Sequence, residues 1–175
     1  MKKLFFVLLI GILISTAVFA DHEGLGVGII GGGGFGSHHG YGYAGLSLKV
    51  PSLPIFWGIY PAFYGSGFGV GVTGDFYFFD DNLIEQKMTG DDGSYYPFKL
   101  DWFLGVGGFV DLHMWKNGLS ADLGVRVPIG LSWHIIKQLE LFLDIAPGIG
   151  VYMGPGGVGL HWAGAAELGL RFWIQ

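Results

Sequence analysis

Cysteine is absent from the chain. That removes a disulfide scaffold and any lipid carried on an N-terminal cysteine. Charge is scarce: 13% of residues are Asp, Glu, Lys or Arg, against about 25% in ordinary soluble domains. Apolar residues make up 51%, and so few charges cannot give such a chain a well-solvated surface. Bases are scarcer than acids. Of 9 Lys and Arg, two are Lys2 and Lys3, so removal of the first 20 residues leaves 9 − 2 = 7 bases against 14 acids. That balance argues against nucleic acid and against an anionic lipid surface as partner. Long helical apolar runs are also missing after the first 20 residues. Between Lys49 and Asp75 there is no charge, but Pro51, Pro54 and Pro61 break the stretch and Gly58, Gly65, Gly67, Gly69 and Gly71 weaken a helix further.

Residues 1–20 read as a secretion signal. Lys2 and Lys3 supply the charged start, residues 4–14 are apolar, and Val18-Phe19-Ala20 places small residues where a signal peptidase cuts. A single anchor helix is the competing reading, but the run is short and no stop-transfer charges follow it. The remaining 175 − 20 = 155 residues suit one domain.

What the chain has is alternation. In residues 160–175, Leu160, Trp162, Gly164, Ala166, Leu168, Leu170, Phe172 and Ile174 form one uncharged face, while His161, Glu167, Arg171, Trp173 and Gln175 lie on the other. A period of two is a strand, and this one is long enough to cross a bilayer, which takes roughly 9–11 tilted residues. Similar stretches recur back to Leu25, separated by Pro51-Ser52, Tyr64–Gly67, Asn117-Gly118, Ile135–Lys137 and Gly154–Gly157. Asn-Gly is a strong two-residue hairpin signal. With such a turn, His113 falls opposite Asp122, Ser120 lies diagonal to His113, and Arg126 stands across from Phe109 and near Asp144. Gly31–Gly40, with His38-His39, reads as a flexible loop. Asp80–Pro97 reads as a long polar connection with a short helical turn near Leu83–Met88.

The result is eight strands with both termini on one side: an all-β, eight-stranded, antiparallel up-and-down transmembrane β-barrel of OmpA/OmpX-like architecture. The in-strand charges share one parity: Lys49, Asp75, Lys99, Asp101, Asp111, Asp122, Arg126, Glu140, Asp144, Glu167 and Arg171. Parity alone does not say which face is inside, and a soluble lipocalin-type barrel would turn the charges outward. Composition decides for the membrane. The charged face is mostly Gly, Ala, Ser and aromatics, whereas water-facing strands are rich in Lys, Glu and Thr. The apolar face carries Trp57, Phe78, Phe98, Trp102, Trp133 and Phe172 near one rim, as an interfacial girdle would. The expected surroundings are therefore the lipid bilayer of a bacterial outer membrane, with termini in the periplasm. The longest connection then lies on the periplasmic side, the reverse of the usual arrangement, and the hairpin at Asn117-Gly118 projects.

Glu167, Gly169, Phe172 and Ile174 have the spacing of the C-terminal signal read by the outer-membrane assembly machinery, although the chain ends Ile174-Gln175 without a terminal aromatic. The runs Phe103-Leu104-Gly105-Val106-Gly107-Gly108-Phe109-Val110, Leu123-Gly124-Val125-Arg126-Val127-Pro128-Ile129-Gly130-Leu131 and Leu141-Phe142-Leu143-Asp144-Ile145-Ala146-Pro147-Gly148-Ile149-Gly150 are also distinctive. Over roughly residues 67–174 the chain resembles a family of small spirochaetal outer-membrane barrel proteins of uncharacterised function. The resemblance implies an eight-stranded barrel and brings no catalytic residues. The connection 81–96 is longer than that family leads one to expect.

Chemistry-bearing patterns are few. Gly26-x-Gly28-x-x-Gly31 matches a dinucleotide fingerprint, but more glycine follows where a helix is required. His22, His38 and His39 read as a solvated loop rather than a metal site, and no cofactor is expected. Ser120, His113 and Asp122 all point inward and have the groups of an acyl-transfer nucleophile. The plainer reading is mutual hydrogen bonding inside a filled barrel. The inward charges, four basic and seven acidic, are expected to form a salt-bridge network that plugs the centre, because eight strands leave room only for side chains or one small ligand. The expected role is structural, or a docking site for a surface partner. The rivals are a narrow cation-preferring channel and a lipid-modifying enzyme of acyltransferase or lipase type.

Overall fold

A computed structural model describes residues 24–36, 40–64, 67–89, 95–115 and 118–174. These form nine antiparallel segments: β1 (Leu25–Gly36), β2 (Tyr41–Lys49), β3 (Phe56–Tyr64), β4 (Gly67–Thr89), β5 (Tyr95–Trp115), β6 (Gly118–Arg126), β7 (Ile129–Ile136), β8 (Leu139–Gly154) and β9 (Gly157–Ile174). Consecutive segments pair except β6 with β7, β1 pairs β9, and the ring closes. β6 and β7 are two halves of one stave, since both lie between β5 and β8. The break falls at Val127-Pro128. Proline has no N–H to give, but the ladder continues around it through Gly105 N–H to Pro128 O (2.8 Å) and Val127 N–H to Pro147 O (2.9 Å). The nine segments are thus eight staves, the number the alternation predicts.

Partners followed around the ring, Thr73–Gly58–Ser47–Gly28–Arg171–Glu140–His134–Lys99–Glu85, return to β4 after 85 − 73 = 12 residues. Such a stagger tilts the staves by about 35–45° from the axis and explains the 23-residue length of β4.

The barrel is charged inside and apolar outside. On β9, Leu160 is 78% exposed, Leu168 53% and Phe172 50%, while their neighbours His161, Glu167 and Arg171 are buried. Exposed aromatics lie in two belts. Near the termini, Phe172 marks the belt on β9, while Trp57, in register with it through Leu48 and Val27, stands higher because the stagger tilts that row. Phe79 stacks on Trp102 and Phe98 lies against Trp133 at the same end. Toward the other end, Phe35 meets Trp162 and Phe63 meets Phe68. Only the first belt is foreseen from the sequence. On β9 the belts are ten residues apart, Trp162 to Phe172. At about 3.3 Å per residue and a tilt of about 40°, that is ~25 Å, the height of the apolar band of a membrane barrel. The fold is a membrane-spanning barrel.

Several local expectations are corrected. Gly31–Gly36 is not loop but the second half of β1, laddered to β2 through Gly34 and to β9 through Gly36. Hydrogen bonds along both edges outweigh the entropy that glycine loses in a strand. Residues 37–39, with His38 and His39, lie outside the described residues, as do His22 and the leader. Residues 80–89 and 95–97 are not a polar connection with a helical turn near Leu83–Met88 but a hairpin, paired as far as Thr89–Tyr95. This hairpin, rather than the one at Asn117-Gly118, projects furthest, because β7 pairs with β5 only down to Lys99. Two register irregularities sit in it, one of which leaves Phe79 exposed next to Phe78. The β5–β6 register is also shifted. Trp115 pairs with Gly118, whose φ of +135° suits glycine alone. The two-residue connection is therefore Lys116-Asn117, one place earlier than an Asn-Gly turn, and every pairing moves by two.

Candidate functional site

The side chains inside the barrel are stacked in tiers, and register fixes their order. Along β5 the inward residues run Lys99, Asp101, Phe103, Gly105, Gly107, Phe109, Asp111, His113. At the terminal mouth, Asp101 meets Lys99 (3.3 Å), His134 (3.3 Å) and Asn82 (3.1 Å). Next comes Arg171. Its guanidinium bonds both oxygens of Glu140 (2.9 and 3.0 Å) and Ser47 Oγ (3.0 Å), and lies over the rings of Phe142 (4.4 Å) and Phe56 (4.7 Å). Trp173 Nε1 and Ser132 Oγ donate to the same Glu140. Phe56, Tyr77 and Phe103 stack in series beside it.

Above this lies Arg126. It donates to both oxygens of Asp75 and, at 3.0 and 3.1 Å, to Glu167. Tyr43 also donates to Glu167 and stacks on Tyr60 at 4.2 Å. Asp144, 2% exposed, is the cross-strand neighbour of Glu167. Glycine makes room for these groups: a Cβ at Gly107 would meet the Asp75 carboxylate, and one at Gly169 the Phe142 ring. Fixed arginine–carboxylate forks of this kind satisfy charges that would be costly to bury alone. Two gaps beside Arg126 are about 20 and 10 Å³, room for about one water at most in each.

Beyond Arg126 the interior opens. A cavity of about 520 Å³ lies at the end away from the termini, walled by Tyr41, Phe109, Asp111, His113, Asp122 and His161 among others. Asp111 accepts the hydroxyls of Tyr60 (3.1 Å) and Tyr41 (3.3 Å). His161 Nε2 lies 2.8 Å from Asp122.

The structure places Lys49, Asp75, Asp101, Asp111, Arg126, Glu140, Asp144, Glu167 and Arg171 in the interior with under one-tenth exposure. Lys99 stands at the mouth, its side chain 41% exposed. The Ser120–His113–Asp122 grouping is not the one the Asn-Gly turn implies. His113 is opposite Ser120, and Asp122 is opposite Asp111 and bound to His161. The Ser120 hydroxyl is buried without a hydrogen-bond partner among the described residues. Arg126 faces Gly107, not Phe109. Sequence reasoning passed over Tyr41, Tyr43, Tyr60, Trp173 and His161, which tie the acids together. The signal was available: Tyr41, Tyr43, His161 and Trp173 have the inward parity of the charges on their own strands, and Tyr60 has the parity opposite to exposed Ile59 on the uncharged β3.

On β9, Glu167 and Gly169 point in, and Phe172 and Ile174 point out. No protein-family model matches the chain, and no curated protein matches it. Among solved structures, the crystal structure of Neisserial surface protein A (NspA) is similar at 10% identity and a TM-score of 0.46, covering 86% of this chain and 96% of that one. The assignment to the membrane rests on the barrel's own belts and its own interior.

Proposed function

We propose that the protein is an outer-membrane barrel closed to solute flow, serving envelope integrity or offering a small docking site at the surface. The observation that supports this most is the pair of arginine tiers. Arg126 and Arg171 are each 4% exposed or less; Arg126 reaches carboxylates on β4 and β9, and Arg171 joins Glu140 on β8 to Ser47 on β2. In this reading residues 1–20 direct export, the termini lie in the periplasm, and β9 with Glu167, Gly169, Phe172 and Ile174 is read by the assembly machinery. The likeness to small spirochaetal barrels belongs to the same proposal. Planar-bilayer recording of the refolded protein tests it. Silence, or rare small cation-preferring events, is the expected outcome; frequent large anion-selective steps would overturn it.

A further inference from the structure

The cavity above Arg126 has the size of a small-ligand pocket, about 520 Å³, within the range of roughly 300–1,000 Å³ such pockets occupy. Among the described residues, no lysine or arginine lines it. Asp111 and Asp122 are direct partners across β5 and β6, and like charges so placed repel. Asp122 has the His161 ring. Asp111 has only the hydroxyls of Tyr60 and Tyr41, and the guanidinium below, Arg126, is already committed to Asp75 and Glu167. Asp111 is thus a carboxylate solvated by hydroxyls on the wall of an open cavity, with no ion pair to a cation among the described residues. The rest of the described lining includes His113 and His161, the rings of Phe109 and Tyr152, and small residues such as Ala163 and Gly159. No group of three His, Asp or Glu suited to a metal ion occurs among the described residues.

We propose that this vestibule binds a small organic ammonium compound, its cation at Asp111 beside Asp122 and its apolar part against Phe109 and Tyr152. The anionic wall selects the charge, and the aromatic wall selects an aryl or alkyl amine over a bare ion. The proposal does not depend on whether the plug conducts or on which compartment the mouth faces.

Calorimetric titration of the full barrel in phosphatidylcholine nanodiscs tests it, with empty nanodiscs subtracted. The probes are 2-phenylethylamine, 2-phenylethanol and 3-phenylpropionate. A saturable signal for the amine, at least tenfold tighter than for the alcohol or the acid, is expected. Asp111→Asn should weaken the amine at least tenfold, while Glu85→Gln, on the projecting hairpin, should leave it unchanged. Gly159→Phe gives a second arm if Asp111→Asn fails to fold. Gly159 lines the cavity and a Cβ there meets nothing within 4 Å, so the ring should fill the vestibule and abolish binding. Equal affinity for alcohol and amine, no signal above empty nanodiscs, or full binding by Gly159→Phe would each overturn the proposal.

Discussion

Arg126 carries the most demanding arrangement at the scale of single residues. It neutralises two buried acids from strands on either side, and Asp144 is next to one of them. Removing the cation alone leaves like charges facing each other out of water. Arg126→Met should therefore destabilise the barrel by about 3–5 kcal/mol, read from the urea midpoint in detergent. Adding Asp75→Asn and Glu167→Gln to it should recover most of that loss, because the uncompensated charge is then gone. On the outer face, depth sets the cost. Leu168 lies midway between the belts, and Leu160 lies beyond Trp162, away from the bilayer centre. Leu168→Arg should cost about 2–4 kcal/mol and Leu160→Arg about 0–1 kcal/mol; equal costs in the same unfolding experiment would refute the placement of the bilayer. Face and sign were legible at this scale, since alternation alone assigns Leu168 and Glu167 to opposite sides. Partners were not. Arg126 binds residues 51 and 41 positions away, a separation no local pattern encodes.

At the scale of elements, the strand count and most turns could be read from alternation and breakers. Errors came from connections. Polar residues 80–89 read as loop because neither face is apolar, yet the backbone pairs with 95–103 regardless of side chains. Beyond the Glu85–Lys99 pair, Gln86–Thr89 and Tyr95–Phe98 pair only with each other. Replacing Gln86 through Phe98 with Asn-Gly should therefore leave the barrel intact, running as the compact unboiled species on a gel; loss of that species would show that the hairpin helps close the ring. The β5–β6 register slipped for a related reason. Asn-Gly marks a turn but does not fix which residues close it, and a shift of two keeps every side chain on its own face. Hydrophobic pattern is therefore blind to that error, and His113, Ser120 and Asp122 were matched to the wrong partners.

At the scale of the whole molecule, the barrel exchanges the usual arrangement of a soluble protein: ion pairs and tyrosines form the core, and leucine, isoleucine, valine and phenylalanine form the surface. An exposed apolar area of that extent associates in water. Removing amphiphile should precipitate the folded protein, as followed by light scattering; a clear, monodisperse solution in plain buffer would contradict a lipid-facing exterior.

The sequence by itself determined the fold class, the two faces of each strand and the membrane as surroundings, because a two-residue period and a shortage of charge are local and compositional properties. Only the tertiary structure decided which acids meet which arginine, that the arginine tiers lie below an open cavity, and that Asp111 lines that cavity with no Lys or Arg beside it among the described residues. Those depend on ring stagger and register, and a shift of two residues changes them all while leaving the hydrophobic alternation untouched.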